Sequence, residues 1–204
     1  MRICIIASPR SGSTSFSKGL SKVLNLKKIS EPHNDSFWDK VSLKAKIDRD
    51  YYERENKDNI VVKTMTGHRS ISFFVEYVKT FDKVILLTRK NIQESYESFI
   101  YRIKQKEATT KFDTVPWHTP YYYDLQESPV DEGIMNLMKE YSSIIYDLNK
   151  ILNVDITYYE DIFSEDINKF HIAVDNLNLK IDKDLLRVEL NPKNRYRQFK
   201  KQLL

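Results

Sequence analysis

Cysteine is almost missing from this chain. Cys4 stands alone, so no disulfide can form within the chain and a cysteine-based metal site lacks its second thiolate. Glycine is scarce as well: Gly12, Gly19, Gly67 and Gly133 are all there are, which leaves few flexible joints. The pattern G-x-x-x-x-G-K-[ST] does not occur, and no carboxylate is obviously placed for magnesium on a following strand. Both absences argue against an ordinary nucleoside triphosphatase. No apolar run approaches the ~20 residues that a membrane span needs, and no leader-like segment precedes the first apolar run. A cytoplasmic protein is therefore expected. Charge of one sign is also lacking, because 33 basic residues stand against 29 acidic ones. The resulting net charge of +4 is too weak to argue for nucleic acid.

What is present fits one folded domain. The 204 residues are 41% hydrophobic and 30% charged, without internal repeats or low-complexity linkers, so a single domain over 1–204 is expected. Ile3 to Ala7 reads as a buried strand, and Thr14 to Leu26 as a helix through Phe16, Leu20, Val23 and Leu24. The polar stretch 27–50 reads as a loop and then a helix around Trp38, Val41 and Leu43. Further strands are expected over Asn59–Thr64, Lys83–Thr88 and Val154–Tyr158. Helices are expected over His68–Thr80, Asn91–Lys106, Val130–Leu152 and Ile167–Leu177. Residues 107–129, with three prolines, Trp117 and consecutive tyrosines, read as a long structured loop. Strands alternating with helices predict an α/β fold, a parallel β-sheet flanked by helices with a P-loop-like entry. Ligands of such sheets sit at the carboxyl ends of the strands, where Arg10 and Arg89 both fall.

Two segments carry anion chemistry. Ser8-Pro9-Arg10-Ser11-Gly12-Ser13-Thr14-Ser15 joins the first strand to the first helix. A turn of small residues at a helix start gathers backbone N–H groups at one point, where the helix dipole also favours an anion. The plainer reading is a solvent-facing turn on which Arg10 lies. The second segment, Leu86 to Phe99, has Arg89 at a strand end and serines on the helix that follows. A guanidinium binds phosphate bidentately and a hydroxyl adds a neutral bond; the plainer reading is a salt-bridged helix start.

Together these segments resemble the sulfotransferases that use 3′-phosphoadenosine 5′-phosphosulfate (PAPS). Pro9-Arg10-Ser11-Gly12-Ser13-Thr14 matches that family's P-[KR]-[ST]-G-[ST]-[ST] loop at every place. The resemblance implies that the backbone of residues 11–15 cradles the donor's 5′-phosphosulfate, with Ser15 closing the loop. It implies that the Ser13 and Thr14 hydroxyls hold the phosphate while Arg10 meets the charge developing on the bridging oxygen. Arg89 matches the arginine that holds the 3′-phosphate. The usual spacing of that family lands on Glu97, so the partner serine is taken as Ser98, one residue on, with Ser95 the alternative. Tyr-Glu-Asp after a late strand is the third match, and it implies Tyr159 near the adenine, with Tyr158 its neighbour to exclude. Glu160 and Asp161 are read as plain strand-end or capping acids. The ordered motifs run from residue 3 to residue 163.

Sulfuryl transfer to a hydroxyl needs a general base, and no metal is expected because the group carries less charge than a phosphoryl. Ser30-Glu31-Pro32 resembles the context of a glutamate base in one branch of the family, so Glu31 is the candidate and His33 the alternative. His68 and His171 sit in helical patterns and read as packed or surface residues. Phe112, Trp117, His118 and Tyr121 to Tyr123 offer flat faces to a small-molecule or carbohydrate acceptor such as a phenol or sugar, or else pack on the sheet. The basic tail 192–201, with Arg195, Arg197, Lys200 and Lys201, is either a solvated tail or a closure over the 3′-phosphate. The competing functions are a catalytically silent nucleotide-binding or regulatory protein of the same fold, and a degenerate P-loop kinase.

Overall fold

A buried strand needs a partner on each side and cover on both faces. β1 (Arg2–Ala7) has both. In the computed structural model, which describes residues 1–32, 58–111 and 131–190 (102–111 as helical backbone alone), β1 lies at the centre of a parallel sheet. The order is β2-β3-β1-β4-β5, with β2 at Lys27–Ser30, β3 at Ile60–Met65, β4 at Lys83–Thr88 and β5 at Ile156–Tyr158. Ile3 to Ala7 are all sealed from solvent, as a strand covered on both faces must be. Their alternation divides the core. Ile3, Ile5 and Ala7 face α1 (Ser13–Val23), α6 (Ile167–Asp175) and α7 (Lys183–Leu190), packing with Phe16, Leu20, Phe170 and Leu186. Cys4 and Ile6 face α2 (Ile71–Tyr77) and α4 (Glu132–Leu152), packing with Phe74, Ile145 and Leu148. The fold is thus the expected α/β class, a parallel sheet between helical layers with a P-loop-like strand–loop–helix entry.

Several elements depart from the sequence expectations for reasons the packing supplies. Lys27–Ser30 is a strand, although Lys-Lys-Ile-Ser has no strand pattern. Pairing with β3, from Lys27 against Ile60 to Ser30 against Lys63, makes it one, and Ile29 alone is sealed inward. The helix expected over 68–80 starts at Ile71, where the Ser70 hydroxyl accepts from the Phe73 amide, and a 3₁₀ turn at Thr66–His68 precedes it. α3 (Ile92–Lys111) runs five residues beyond the expected end, into the stretch read as loop. A single helical turn, α5 (Tyr159–Ile162), follows β5 directly. The short α7 escaped the reading altogether. Its Leu186 and Leu190 press on Gly19 of α1, where a Cβ would stand 2.9 Å from Leu190 Cδ2. The helix expected around Trp38, Val41 and Leu43 lies outside the described residues. Among the described residues no helix is long and apolar enough to cross a membrane.

Because all five strands run the same way, their carboxyl ends share one rim. Ser8, Glu31, Thr66, Arg89 and Tyr159 each follow a strand there.

Candidate functional site

The loop after β1 is pinned at its start and open at its end. The Ser8 amide bonds to the Leu87 carbonyl at 3.0 Å, extending the β1–β4 pairing by one residue. The Ser8 hydroxyl meets Thr88 at 2.9 Å, and Thr88 meets Ser142 of α4 at 3.0 Å. The Ser11 hydroxyl turns inward and donates to the Ser8 carbonyl at 2.7 Å. Gly12 then begins α1 with φ at +74°, a left-handed backbone. A Cβ there would also lie 2.7 Å from the Tyr159 ring and 2.8 Å from Phe163, so two requirements converge on glycine. Gly12 has no side chain to cap α1, so among the described residues the first-turn amides of Ser13, Thr14 and Ser15 have no capping acceptor at the positive end of the helix dipole. The Ser13 hydroxyl is turned to Met65 Sδ, whereas Thr14 and Ser15 lie on the exposed side.

Backbone strain marks the same rim. Among described non-glycine residues with positive φ, four are asparagines, which tolerate that region. The other two are Arg10 at +61° and Glu31 at +52°. Holding such residues there costs on the order of 1–3 kcal/mol each, and such strain clusters at ligand sites.

Arg10 is exposed along its stem, yet its guanidinium reaches across to α3. Nε and Nη2 both donate to the Ser98 hydroxyl at 3.0 Å. Ser95 is buried as well, but Ser98 is the serine that meets the loop. Arg89, one residue past β4, is only 5% exposed. Its guanidinium lies 3.8 Å from the centre of the Tyr159 ring, a close cation–π contact. Nη1 reaches Glu94 at 3.4 Å, and Nε is buried with no hydrogen-bond partner among the described residues. A buried donor left unbonded costs roughly 1–3 kcal/mol. Tyr159 itself is buried, stacked on Phe163 with centroids 4.6 Å apart. It acts as a floor beneath Arg89 and Gly12. Tyr158 stands outside that arrangement, with Lys90 Nζ 4.6 Å over its ring. Burial, then the Tyr146 hydroxyl and the acids 160 and 161, push the Tyr158 hydroxyl pKa upward, which keeps it neutral.

Lys63 was not singled out from the sequence. It sits near the end of β3 at 4% exposure, and its ammonium bonds the Glu31 carboxylate and, at 3.4 Å, the Thr14 hydroxyl. The signal was available: a lysine inside the apolar run Ile60-Val61-Val62-Lys63, close to the strand end where α/β ligands collect. Glu31 reaches this place because β2 ends at Ser30 and the Glu31 amide continues the pairing to the Lys63 carbonyl. His68, read as a packed or surface residue, stands at the same rim with Nε2 4.0 Å from the Glu31 carboxylate. His171 lies away from it, 4.0 Å from Asp184. His33, Phe112, Trp117, His118, Tyr121 to Tyr123 and the tail residues Arg195, Arg197, Lys200 and Lys201 lie outside the described residues.

The rim therefore brings together the start of α1, Arg10, Arg89, the buried Lys63 and the Glu31 carboxylate, an arrangement able to hold anionic groups beside a proton acceptor. A cleft of about 740 Å³ lies elsewhere, along the outer edge of β4 and β5 between Asp82, Asn149, Asp155 and Asn176. Neither Arg10, Lys63 nor Arg89 borders it.

No family model matches the chain, and no curated protein matches it. Among solved structures, a shikimate kinase from Bacteroides thetaiotaomicron is similar over 87% of this chain and 96% of its own, at 13% identity and a TM-score of 0.47. At that level of likeness nothing passes from that enzyme to the substrate or activity of this chain.

Proposed function

We propose that this chain is a sulfotransferase that moves a sulfuryl group from PAPS to the hydroxyl of a small-molecule or carbohydrate acceptor. The observation that carries the reading is the pair of bonds from Arg10 to Ser98. They join two motifs 88 residues apart at one mouth, beside a buried Arg89 whose Nε awaits an acceptor. A donor with phosphates on both the 5′ and the 3′ oxygens asks for two cationic anchors close together.

In this reading the amides at the start of α1 and the Arg10 guanidinium take the 5′-phosphosulfate. Arg89 with Ser98 takes the 3′-phosphate, and Tyr159 supports Arg89 from below. The acceptor oxygen attacks sulfur in line, the bond from sulfur to the bridging oxygen breaks, and 3′-phosphoadenosine 5′-phosphate leaves with the negative charge. Arg10 stabilises that charge as it develops. The acceptor's proton goes to the Glu31 carboxylate. Lys63 fixes that carboxylate and, through Thr14, the loop as well, so one lysine positions base and phosphate cradle together.

Transfer of labelled sulfate from PAPS to a panel of phenols, sugars and alcohols tests this reading. Label should pass to at least one class, and Glu31→Gln should lower turnover by roughly 10²–10⁴ with little change in donor affinity. Tight binding of 3′-phosphoadenosine 5′-phosphate with no transfer to any class would favour a silent nucleotide binder. Magnesium-dependent transfer from ATP would favour a kinase.

A further inference from the structure

Tyr159, Glu160 and Asp161 follow β5 in direct succession, and each grips a different part of the turn from β4 to α3. The Tyr159 ring lies beneath the Arg89 guanidinium. The Glu160 carboxylate accepts from the Lys90 amide at 3.0 and 3.1 Å and from the Asn91 amide at 3.2 Å. Asp161 accepts from the Lys90 ammonium at 3.1 Å and is bridged on its other side by Lys169 at 3.2 Å. The two acids are more than capping residues of their own short helix, because Glu160 holds the backbone some 70 residues earlier in the chain. Asn91 meanwhile accepts from the Glu94 amide at 3.2 Å. The amides of Lys90, Asn91 and Glu94 are thus engaged by protein, and the turn sets the Arg89 side chain beside them.

We propose that Glu160 is a positioning residue for recognition of the 3′-phosphate, an inference that rests on the sulfotransferase reading above. Its carboxylate binds the two amides immediately after Arg89, so it sets the backbone from which that side chain leaves. Tyr159 then fixes the guanidinium plane. With both constraints in place, Arg89 keeps one orientation and loses little freedom when an anion arrives. Without Glu160, the turn carries two unbonded amides and Arg89 can swing toward Glu94, its neighbour at 3.4 Å.

The test compares 3′-phosphoadenosine 5′-phosphate with adenosine 5′-phosphate, which lacks only the 3′-phosphate, by calorimetric titration. Wild type should prefer the bisphosphate. Glu160→Ala should cut that preference about tenfold, as expected for losing charge-assisted bonds to a positioned group. Its affinity for adenosine 5′-phosphate should stay near wild type. Glu160→Gln keeps one carbonyl oxygen for an amide and should fall between the two, and it decides the question by the same ratio should the alanine variant not fold. An unchanged preference, or a parallel loss for both nucleotides, overturns the positioning role and leaves the sulfotransferase reading standing. No preference in wild type overturns that reading, and the inference with it.

Discussion

The two turns proposed to hold the donor's phosphates are built in opposite ways. The turn from β1 to α1 holds its shape within a few residues: Ser11 closes on Ser8, and two left-handed residues, Arg10 and Gly12, bend the chain into α1. It is strained and its helix is uncapped. The turn from β4 to α3 has no left-handed residue, is capped by Asn91, and is braced from α5 by Tyr159 and Glu160. In the proposed function the first leaves its amides to the ligand, which suits a group whose charge changes during reaction. The second gives the Lys90, Asn91 and Glu94 amides to protein and holds Arg89 against Tyr159, which in the proposed function suits a group that is only held.

The largest expected effect probes the buried charge behind the first turn. Glu31→Gln removes the partner of a Lys63 that is almost sealed from water, and should cost roughly 3–5 kcal/mol of stability. Urea unfolding would measure it. Adding Lys63→Met should restore most of the loss, because the uncompensated cation goes with it; a double variant as unstable as the single one would show that the pair is not what is being measured.

Arg89→Ala removes the buried cation of the second turn. Affinity for 3′-phosphoadenosine 5′-phosphate should fall by roughly 2–4 kcal/mol, while adenosine 5′-phosphate binds as before. Equal losses for both nucleotides would erase the division of labour between the turns. Gly12→Ala strikes the first turn instead. A left-handed backbone and a Cβ 2.7 Å from Tyr159 together should cost roughly 2–3 kcal/mol, read as a lower melting temperature. The smallest change sharpens the comparison. Glu94→Gln removes an acid 3.4 Å from Arg89 and should tighten bisphosphate binding several-fold, with no effect on adenosine 5′-phosphate.

The same contrast governs what was legible in the sequence. The loop Ser8 to Ser15 was readable because its requirements are local: small residues, one glycine, a helix start. Arg89 was readable as a basic residue at a strand end. Ser98 was favoured over Ser95 from spacing alone, whereas its bonds to Arg10 depend on how α3 turns toward the loop. Glu160 read as a plain acid because its partners lie across the sheet at Lys90 and Asn91. Lys63 was missed for the opposite reason: it hid inside a run whose apolar pattern already explained the strand. β2 was missed because Lys27 to Ser30 become a strand only through pairing with β3. Interactions confined to one turn leave a pattern, and those that cross the sheet leave single residues without one.

The central claim is that these two turns form one site for an adenosine bearing phosphates at both the 5′ and the 3′ position. Calorimetric titration of the unmodified chain with 3′-phosphoadenosine 5′-phosphate, ADP and ATP tests it most directly. The account predicts that the 3′,5′-bisphosphate binds more tightly than either 5′-polyphosphate, without added magnesium. Equal or tighter binding of ADP or ATP would contradict it.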